Sequence, residues 1–480
     1  MNDRKGFGSN FGFLMAAVGS AVGLGNIWGF PNKMGANGGF PFLILYLALA
    51  LCCGVIIMLG ELALGRKTGH GAVGAYQSIS KRFKWLGWLG IAAAALIFSF
   101  YSALGGYCLR YVVVNFGNLI GAEFGTNGVG GADVFRGLLS QPDVSIAFAL
   151  AFMLITMLVV MSGVGGGIER VCSVGMPALF FILIICIIRS CTLPGAADGL
   201  KYMFVPGWAV ANGIIDEAPG FWRVLTAAGG QMFFSLSLGA GVMITYGSYL
   251  DKKQDLGKSA MIIVGMDTVV ALMAGLCVIP GRFALDPNGA LGGPELLFIT
   301  MQNVFDKMGP AGPVFGILFY LLVFFAAISS SISMLEVIVA HFCDKAREKG
   351  KGDRRKLYSA IAVVICAALC ALVCADGMGS NHISPAELLG LAGAKLPGWS
   401  TSWLGLFDSV AEGLLMPLGA LLMCLMISWE LKPDTLRQEI LLNGENRPWV
   451  YDFFRLCVKY ITPLCMLMIL YGQISDFFIV

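Results

Sequence analysis

The sequence predicts an all-α polytopic membrane protein with about eleven transmembrane helices. Of the 480 residues, 57% are hydrophobic and only 13% are charged, which is roughly half the charged share of an ordinary soluble domain. Predominantly apolar stretches of about 20 residues, the length that crosses the hydrocarbon core of a bilayer, recur along the whole chain. Water therefore cannot be the solvent for most of this surface, and the lipid bilayer is the first partner that the sequence implies.

The apolar stretches follow one another without a linker or a segment of soluble-domain composition, so residues 1–480 form one predicted integral membrane domain. The predicted spans cover approximately 11–30, 40–64, 88–117, 144–161, 171–191, 222–246, 260–280, 313–342, 358–374, 406–427 and 453–473.

Basic residues predict the orientation. The loops at 66–84 and 345–356, the surroundings of Lys252 and the terminus with Arg4 and Lys5 all fall on one side of the topology. By the positive-inside rule this side faces the cytoplasm, and an odd number of helices places the C-terminus outside the inner (cytoplasmic) cell membrane. The small positive net charge reflects this bias, so we expect no nucleic-acid partner.

Helices one and six each carry a glycine-rich interruption near mid-membrane, at 19–26 and at 235–241. Broken helices at corresponding positions of two halves are typical of transporters built from inverted repeats, with the binding site at the breaks. The sequence thus predicts a 5+5 inverted repeat, with the first repeat at about 10–191, the second at about 222–430 and helix eleven at about 453–473. The alternative is that these glycines serve only close helix packing.

Polar side chains inside the apolar segments need partners, because a carboxylate facing lipid costs several kcal/mol. For Glu61 and Glu336 we favour a structural role, in which the carboxylate accepts hydrogen bonds from amides of an unwound segment. Asp267 stands apart as a candidate site residue. For the serine run at 329–331, base rates favour hydrogen bonds to the helix's own carbonyls or packing.

Together these motifs resemble the neurotransmitter:sodium symporter family, and in particular its bacterial amino-acid transporters. The resemblance covers most of the chain and is carried, in order, by 19–26, Phe30-Pro31, 37–39, 61–66, 100–102, 231–239, 245–249, 329–333 and Glu336.

The resemblance implies two sodium sites and no organic cofactor. The first would use the carbonyl of Ala21, the side-chain oxygens of Asn26, Ser235 and Asp267, and the carboxylate of the substrate. The second would use the carbonyls of Gly19, Val22 and Ala326 and the hydroxyls of Ser329 and Ser330. Small hard cations prefer such oxygen ligands, and unwound backbone supplies them.

Two departures from the family pattern concern chloride. Asp267 stands where many relatives have asparagine, and Ala271 stands where others have an acid or a serine that helps to hold chloride. A carboxylate beside bound sodium offsets its charge at close range, so we expect transport that does not require chloride.

The gates depart from the pattern on the outer side. The usual outer-gate arginine corresponds to Gly29, so an ion-pair gate with Asp408 or Glu412 as its acid is not expected. Closure would then fall to aromatic packing by Trp28, Phe30, Tyr101 and Phe234. On the inner side the resemblance implies an ion pair between Arg4 and Asp344, with Phe7 where a tryptophan is usual.

Gly23 indicates the substrate class. Relatives that carry amines place an aspartate at this position, so this chain is expected to bind a substrate that brings its own carboxylate, such as an α-amino acid. Ala240 replaces a bulkier residue and leaves room for a larger hydrophobic or aromatic side chain, whose burial contributes about 25 cal/mol per Å². The predicted substrate site comprises Ala21, Gly23, Gly25, Ile97, Tyr101, Phe234, Ser235, Ser237, Ala240, Ser330 and Met334.

The sequence therefore predicts a sodium-coupled amino-acid symporter that works by alternating access and is not an enzyme. The alternatives are a sodium-coupled transporter of another small zwitterion and an ion channel, although no selectivity-filter loop is evident. Stoichiometry and oligomeric state stay open.

Overall fold

The computed structural model describes residues 6–126, 128–289, 293–390, 398–431, 435–441 and 448–478. Every regular element in these ranges is a helix, which confirms the predicted all-α class. Arg4 lies outside the described residues.

The membrane-spanning helices agree with the prediction. Among the described residues, nine helices are long and apolar enough to cross a membrane, or ten when the bent first pair counts as one span. A second broken segment lies where the sixth span was predicted. With both broken segments included there are eleven spans in the described residues, and each predicted span lies inside one of them. They are α1 (Asn10–Ala21 and Gly25–Ala36), α2 (Phe40–Thr68), α3 (Lys81–Ile120), α4 (Pro142–Met161), α5 (Val164–Cys191), α6 (Phe221–Leu236 and Val242–Gly247), α7 (Leu256–Leu285), α8 (Gly309–Glu348), α9 (Arg355–Asp376), α10 (Trp403–Glu430) and α11 (Pro448–Ser475).

Shorter helices lie in the connections between these spans. They are Ala72–Ile79, Gly131–Leu139, Ala196–Phe204, Trp208–Ala211, Met301–Lys307, Pro385–Leu388 and Arg437–Ile440. Five of them, from Gly131–Leu139 to Pro385–Leu388, fall in the connections α3–α4, α5–α6, α7–α8 and α9–α10. We call the face where α1 begins the N face.

Both predicted helix breaks are present. In α1 the backbone leaves the helical region at Val22, with φ −75° and ψ 99°, and the two parts of the helix are bent by 44°. In α6 the chain turns through the left-handed region at Ser237 (φ 52°), Gly239 (φ 81°) and Gly241 (φ 75°). The glycines of these segments therefore do more than allow close packing.

Helix α2 supports both halves of α6, because its first part packs against Phe221–Leu236 and its last part packs against Val242–Gly247. Glu61 lies in that last part, fully buried, and its Oε1 accepts a hydrogen bond from Gly239 N at 2.6 Å. The carboxylate thus stabilises the break of α6, in agreement with the structural role that was favoured for it.

Glu336 has a different partner from the one expected. Its carboxylate receives a hydrogen bond from Arg355 Nη2 at 3.0 Å and another from the Tyr249 hydroxyl. The expectation that it binds amides of an unwound segment is wrong. The reason is that α9 brings a cation to the N-face end of α8, which the sequence alone could not pair with Glu336.

We expect Gly239→Ala to destabilise the protein more than Gly213→Ala. Both glycines have positive φ, which costs a side-chain-bearing residue about 1–2 kcal/mol, but a Cβ at Gly239 would lie 2.1 Å from the Met416 carbonyl oxygen. A Cβ at Gly213 would meet nothing within 4 Å. Yield of monodisperse protein and apparent Tm in detergent measure the difference, and equal losses for both variants would contradict the crowding at the break.

Candidate ion and substrate site

Asp267 of α7 is the centre of a buried polar cluster to which α1, α2 and α6 contribute side chains. Asn26 of α1 donates from Nδ2 to Asp267 Oδ1 at 2.7 Å and to its carbonyl at 3.0 Å. Ser235 of α6 donates from Oγ to both carboxylate oxygens at 3.0 Å. Asn26 Oδ1 in turn accepts from Gly23 N at 3.0 Å. The structure therefore brings together three side chains of the first predicted ion site. Ala21, whose carbonyl was also predicted there, is the last helical residue before the break of α1.

Tyr46 of α2 belongs to this cluster, and the sequence analysis missed it. Its hydroxyl donates to Asp267 Oδ2 at 3.1 Å, and its ring packs against Phe30 with centroids 5.1 Å apart. A tyrosine in an apolar span indicates that a polar partner exists, because a buried phenol needs one. The sequence offers no way to tell which partner that is.

A second cluster lies where α8 meets the break of α1. Ser329 Oγ donates to the carbonyls of Ala326 at 2.9 Å and Val22 at 3.3 Å. Ser330 Oγ donates to the carbonyl of Gly19 at 3.4 Å. All five residues of the second predicted ion site therefore lie together. This arrangement reverses the base-rate expectation for Ser330, whose hydroxyl reaches across to another helix.

The Ser20 carbonyl joins the two breaks and was also missed. It accepts a hydrogen bond from Ser330 Oγ at 3.1 Å and another from Ser237 Oγ at 3.1 Å. The Ser20 hydroxyl is buried and has no hydrogen-bond partner among the described residues. Ser20 is thus the point at which α1, α6 and α8 meet through polar groups.

Tyr101 of α3 closes this region from the other side. Its hydroxyl accepts a hydrogen bond from Leu24 N at 2.8 Å, and its ring lies 6.4 Å from that of Phe234. A Cβ at Gly23 would lie 2.5 Å from the Tyr101 hydroxyl and 2.2 Å from Ser330 Oγ. The position where amine carriers have an aspartate therefore has no room for a side chain. Gly25 is also crowded, because a Cβ there would lie 3.0 Å from Phe234 Cδ1.

The other predicted pocket residues lie along the same helices. Ile97 and Met334 are buried, each one helical turn from Tyr101 and Ser330 respectively. Ala240 lies within the break of α6, and a Cβ on Gly90 of α3 would meet its carbonyl carbon at 3.1 Å. This places Ala240 two turns from Ile97 toward the N face.

The gate residues differ in their surroundings. Trp28 Nε1 donates to the Gly293 carbonyl at 3.3 Å, so it reaches the loop after α7. Phe30 is fully buried and packs against Phe42 and Tyr46 of α2, away from the Tyr101 and Phe234 pair. Its role as a gate stays a prediction. Glu412, for which no arginine partner was expected at position 29, forms an ion pair with Lys33.

On the N face, Asp344 Oδ2 accepts a hydrogen bond from Gly71 N at 3.0 Å, and Oδ1 lies 3.9 Å from Arg347 Nη1. Its predicted partner Arg4 lies outside the described residues. Phe7 packs edge-on against Tyr246 and Phe13, with ring centroids 5.6 and 5.5 Å away. A cavity of about 790 Å³ opens beside these residues.

Two broken helices whose breaks lie together around buried oxygen groups are the architecture of a secondary transporter. The sequence model of the sodium:neurotransmitter symporter family matches residues 4–126 and 133–478, so the chain belongs to that family. The chain is 36% identical over 477 residues to the uncharacterized sodium-dependent transporter YhdH of Bacillus subtilis, covering 97% of each protein. It is 30% identical to an uncharacterized sodium-dependent transporter of Methanocaldococcus jannaschii, covering 91% of this chain and 84% of that relative.

Among solved structures, the chain is similar to the crystal structure of MhsT in complex with L-phenylalanine. The TM-score is 0.83 with 34% sequence identity, and the match covers 98% of this chain and 100% of that one. The predicted fold class and family are therefore confirmed. The protein is a sodium-dependent symporter and not an enzyme.

We expect Ser329→Ala and Ser330→Ala each to weaken sodium activation of transport about tenfold, which corresponds to ~1.4 kcal/mol per lost oxygen ligand. The matched control is Ser331→Ala, since the Ser331 hydroxyl pairs with Thr156 Oγ at 2.8 Å and points away from α1. The sodium concentration for half-maximal uptake is the measurement. An equal effect of all three substitutions would contradict a site at this cluster.

Proposed function

We propose that the protein is a sodium-coupled symporter of a larger hydrophobic or aromatic amino acid, which it carries across the inner cell membrane without a chloride requirement. The observation that carries this proposal is the meeting of Asn26, Ser235 and Asp267 at the two helix breaks. Those breaks also bring together backbone amides and carbonyls, which suit the two charges of a zwitterion.

In this proposal the first sodium ion binds to Asn26, Ser235 and Asp267 together with the Ala21 carbonyl. Asp267 already accepts hydrogen bonds from both of the other side chains, through Asn26 Nδ2 and Ser235 Oγ. Sodium would replace the hydrogen bonds that now join them, so their oxygens would turn toward the ion. The second ion would bind to the Ser329 and Ser330 hydroxyls and the carbonyls that these hydroxyls now contact.

The substrate carboxylate would bind the first sodium ion, the Tyr101 hydroxyl and the amides near Gly25. Its ammonium would meet the carbonyls of Ala21 and Phe234. Two observations favour an amino acid over an amine: the site has no room for an acid at Gly23, and a similar transporter binds L-phenylalanine. Ala240 is the residue proposed to leave space for a large side chain.

Transport would proceed by alternating access, with the basic N face toward the cytoplasm. Sodium and substrate bind from outside, the outer side closes, and the helices that contain the breaks tilt. The cavity of about 790 Å³ on the N face is lined by Gly8, just before α1, by Val164 of α5 and by Ala340 of α8. These helices flank the second cluster, so the cavity is a candidate exit for sodium.

Chloride independence rests on the charge of Asp267. A fixed carboxylate at a sodium site supplies the negative charge that a mobile anion would otherwise provide. Tyr46 and Ser235 both donate to this carboxylate, so its negative charge is stabilised in a buried position.

The function is tested by binding and uptake of all twenty amino acids with purified protein in proteoliposomes, in sodium and in potassium. We expect saturable uptake that needs sodium, with phenylalanine, tryptophan, tyrosine or leucine as the strongest competitors. Preference for glycine, alanine or a charged amino acid would contradict the pocket assignment. Uptake that does not saturate would favour a channel.

We expect uptake by the natural sequence to be the same in chloride and in gluconate. Asp267→Asn removes the fixed charge, so uptake in gluconate should fall at least about tenfold, equivalent to ~1.4 kcal/mol, and chloride should restore part of it. Asp286→Asn, an acid paired with Lys307 outside the site, is the control and should leave the anion dependence unchanged. A chloride requirement in the unsubstituted protein would exclude the role given to Asp267.

A further inference from the structure

Lys33 and Glu412 form an ion pair between the part of α1 beyond its break and α10. The Lys33 side chain is 25% exposed and the Glu412 side chain is 8% exposed. The pair therefore lies at the edge of the protein interior and not on an open surface, where ion pairs contribute little.

The ion pair lies close to Gly29, the position at which relatives have the outer-gate arginine. Lys33 follows Gly29 by four residues, which is about one helical turn toward the face opposite the N face. At Gly29 itself a Cβ would lie 2.9 Å from Gln231 Oε1, and Gln231 is held by a 2.6 Å bond to the Gly25 carbonyl. A long side chain at position 29 would have to displace this contact, whereas Lys33 lies clear of it.

A third helix, α6, also lies against the ion pair. A Cβ at Gly230 of α6 would lie 3.0 Å from Glu412 Oε1 and 3.6 Å from Lys33 Nζ, so the pair lies directly against the α6 backbone. It borders a cavity of about 300 Å³ that Arg223, Asp408 and Gln473 also line. The ion pair and this cavity thus lie where α1, α6 and α10 meet.

We propose that Lys33 and Glu412 are a latch that stabilises the closed outer side and takes the charge role that Gly29 cannot fill. The inference rests on the alternating access proposed above. Opening would draw α1 away from α10, expose both groups to water in the enlarged cavity and break the pair. Removing either charge should therefore shift the population toward the outward-open conformation.

The test uses Ala227→Cys, since Ala227 lines the same cavity. Its labelling rate by a membrane-impermeant maleimide is measured in right-side-out vesicles, with the protein without this cysteine as the background. Lys33→Met and Glu412→Gln should each raise the rate at least about fivefold, whereas Lys33→Arg should keep it near the starting value.

The matched control is Lys307→Met, which removes another lysine from an ion pair on the same side, with Asp286. It should leave labelling unchanged. If both Lys33→Met and Glu412→Gln label at the starting rate, the latch is excluded. Labelling detects the latch without transport, so absence of sodium-dependent uptake would count against the proposed function and not against the latch.

Discussion

The fold depends on one constraint: backbone that is unwound inside a membrane must find hydrogen-bond partners within the protein, because lipid offers none. An unpaired backbone group buried there costs several kcal/mol. In this protein side chains supply the partners, and each comes from a different helix or from the break itself. The pairs are Leu24 N with Tyr101, Gly23 N with Asn26, the Gly25 carbonyl with Gln231, the Ser20 carbonyl with Ser237, and Gly239 N with Glu61.

This constraint explains why the candidate site has such dense polar contacts. Hydroxyl and amide groups that satisfy the breaks are also the oxygen ligands available to a cation. Ion binding at the second cluster would therefore replace hydrogen bonds from Ser329 and Ser330 with metal–oxygen contacts. The binding free energy is then the energy of the new contacts less that of the hydrogen bonds they replace. Such an exchange keeps affinity moderate, which suits a transporter that must release its ions.

The sequence was informative wherever a residue type has one plausible task in a membrane. Glycine-rich interruptions in two apolar spans indicated the breaks, and Asn26, Ser235 and Asp267 were brought to one place by the family pattern. Pairings set by tertiary packing were not predictable, because spacing along one helix says nothing about the neighbouring helix. The Tyr46 contact with Asp267, the Glu336 pair with Arg355 and the Lys33 pair with Glu412 all belong to this group.

The two faces of the protein carry different kinds of ion pair. On the N face Arg66 is 5% exposed and binds Glu439 through Nε at 2.8 Å, and the same arginine also contacts carbonyls of the connection between α6 and α7. These contacts link α2, the α6–α7 connection and the helix Arg437–Ile440, whereas the Lys33 pair links α1, which carries a break, to α10. A two-state transporter needs conformations within a few kcal/mol of each other, so that bound ligands can shift the balance. A single, partly exposed lysine pair is suited to the proposed latch, because lysine recovers its hydration when the pair separates, which keeps the cost of opening within that range.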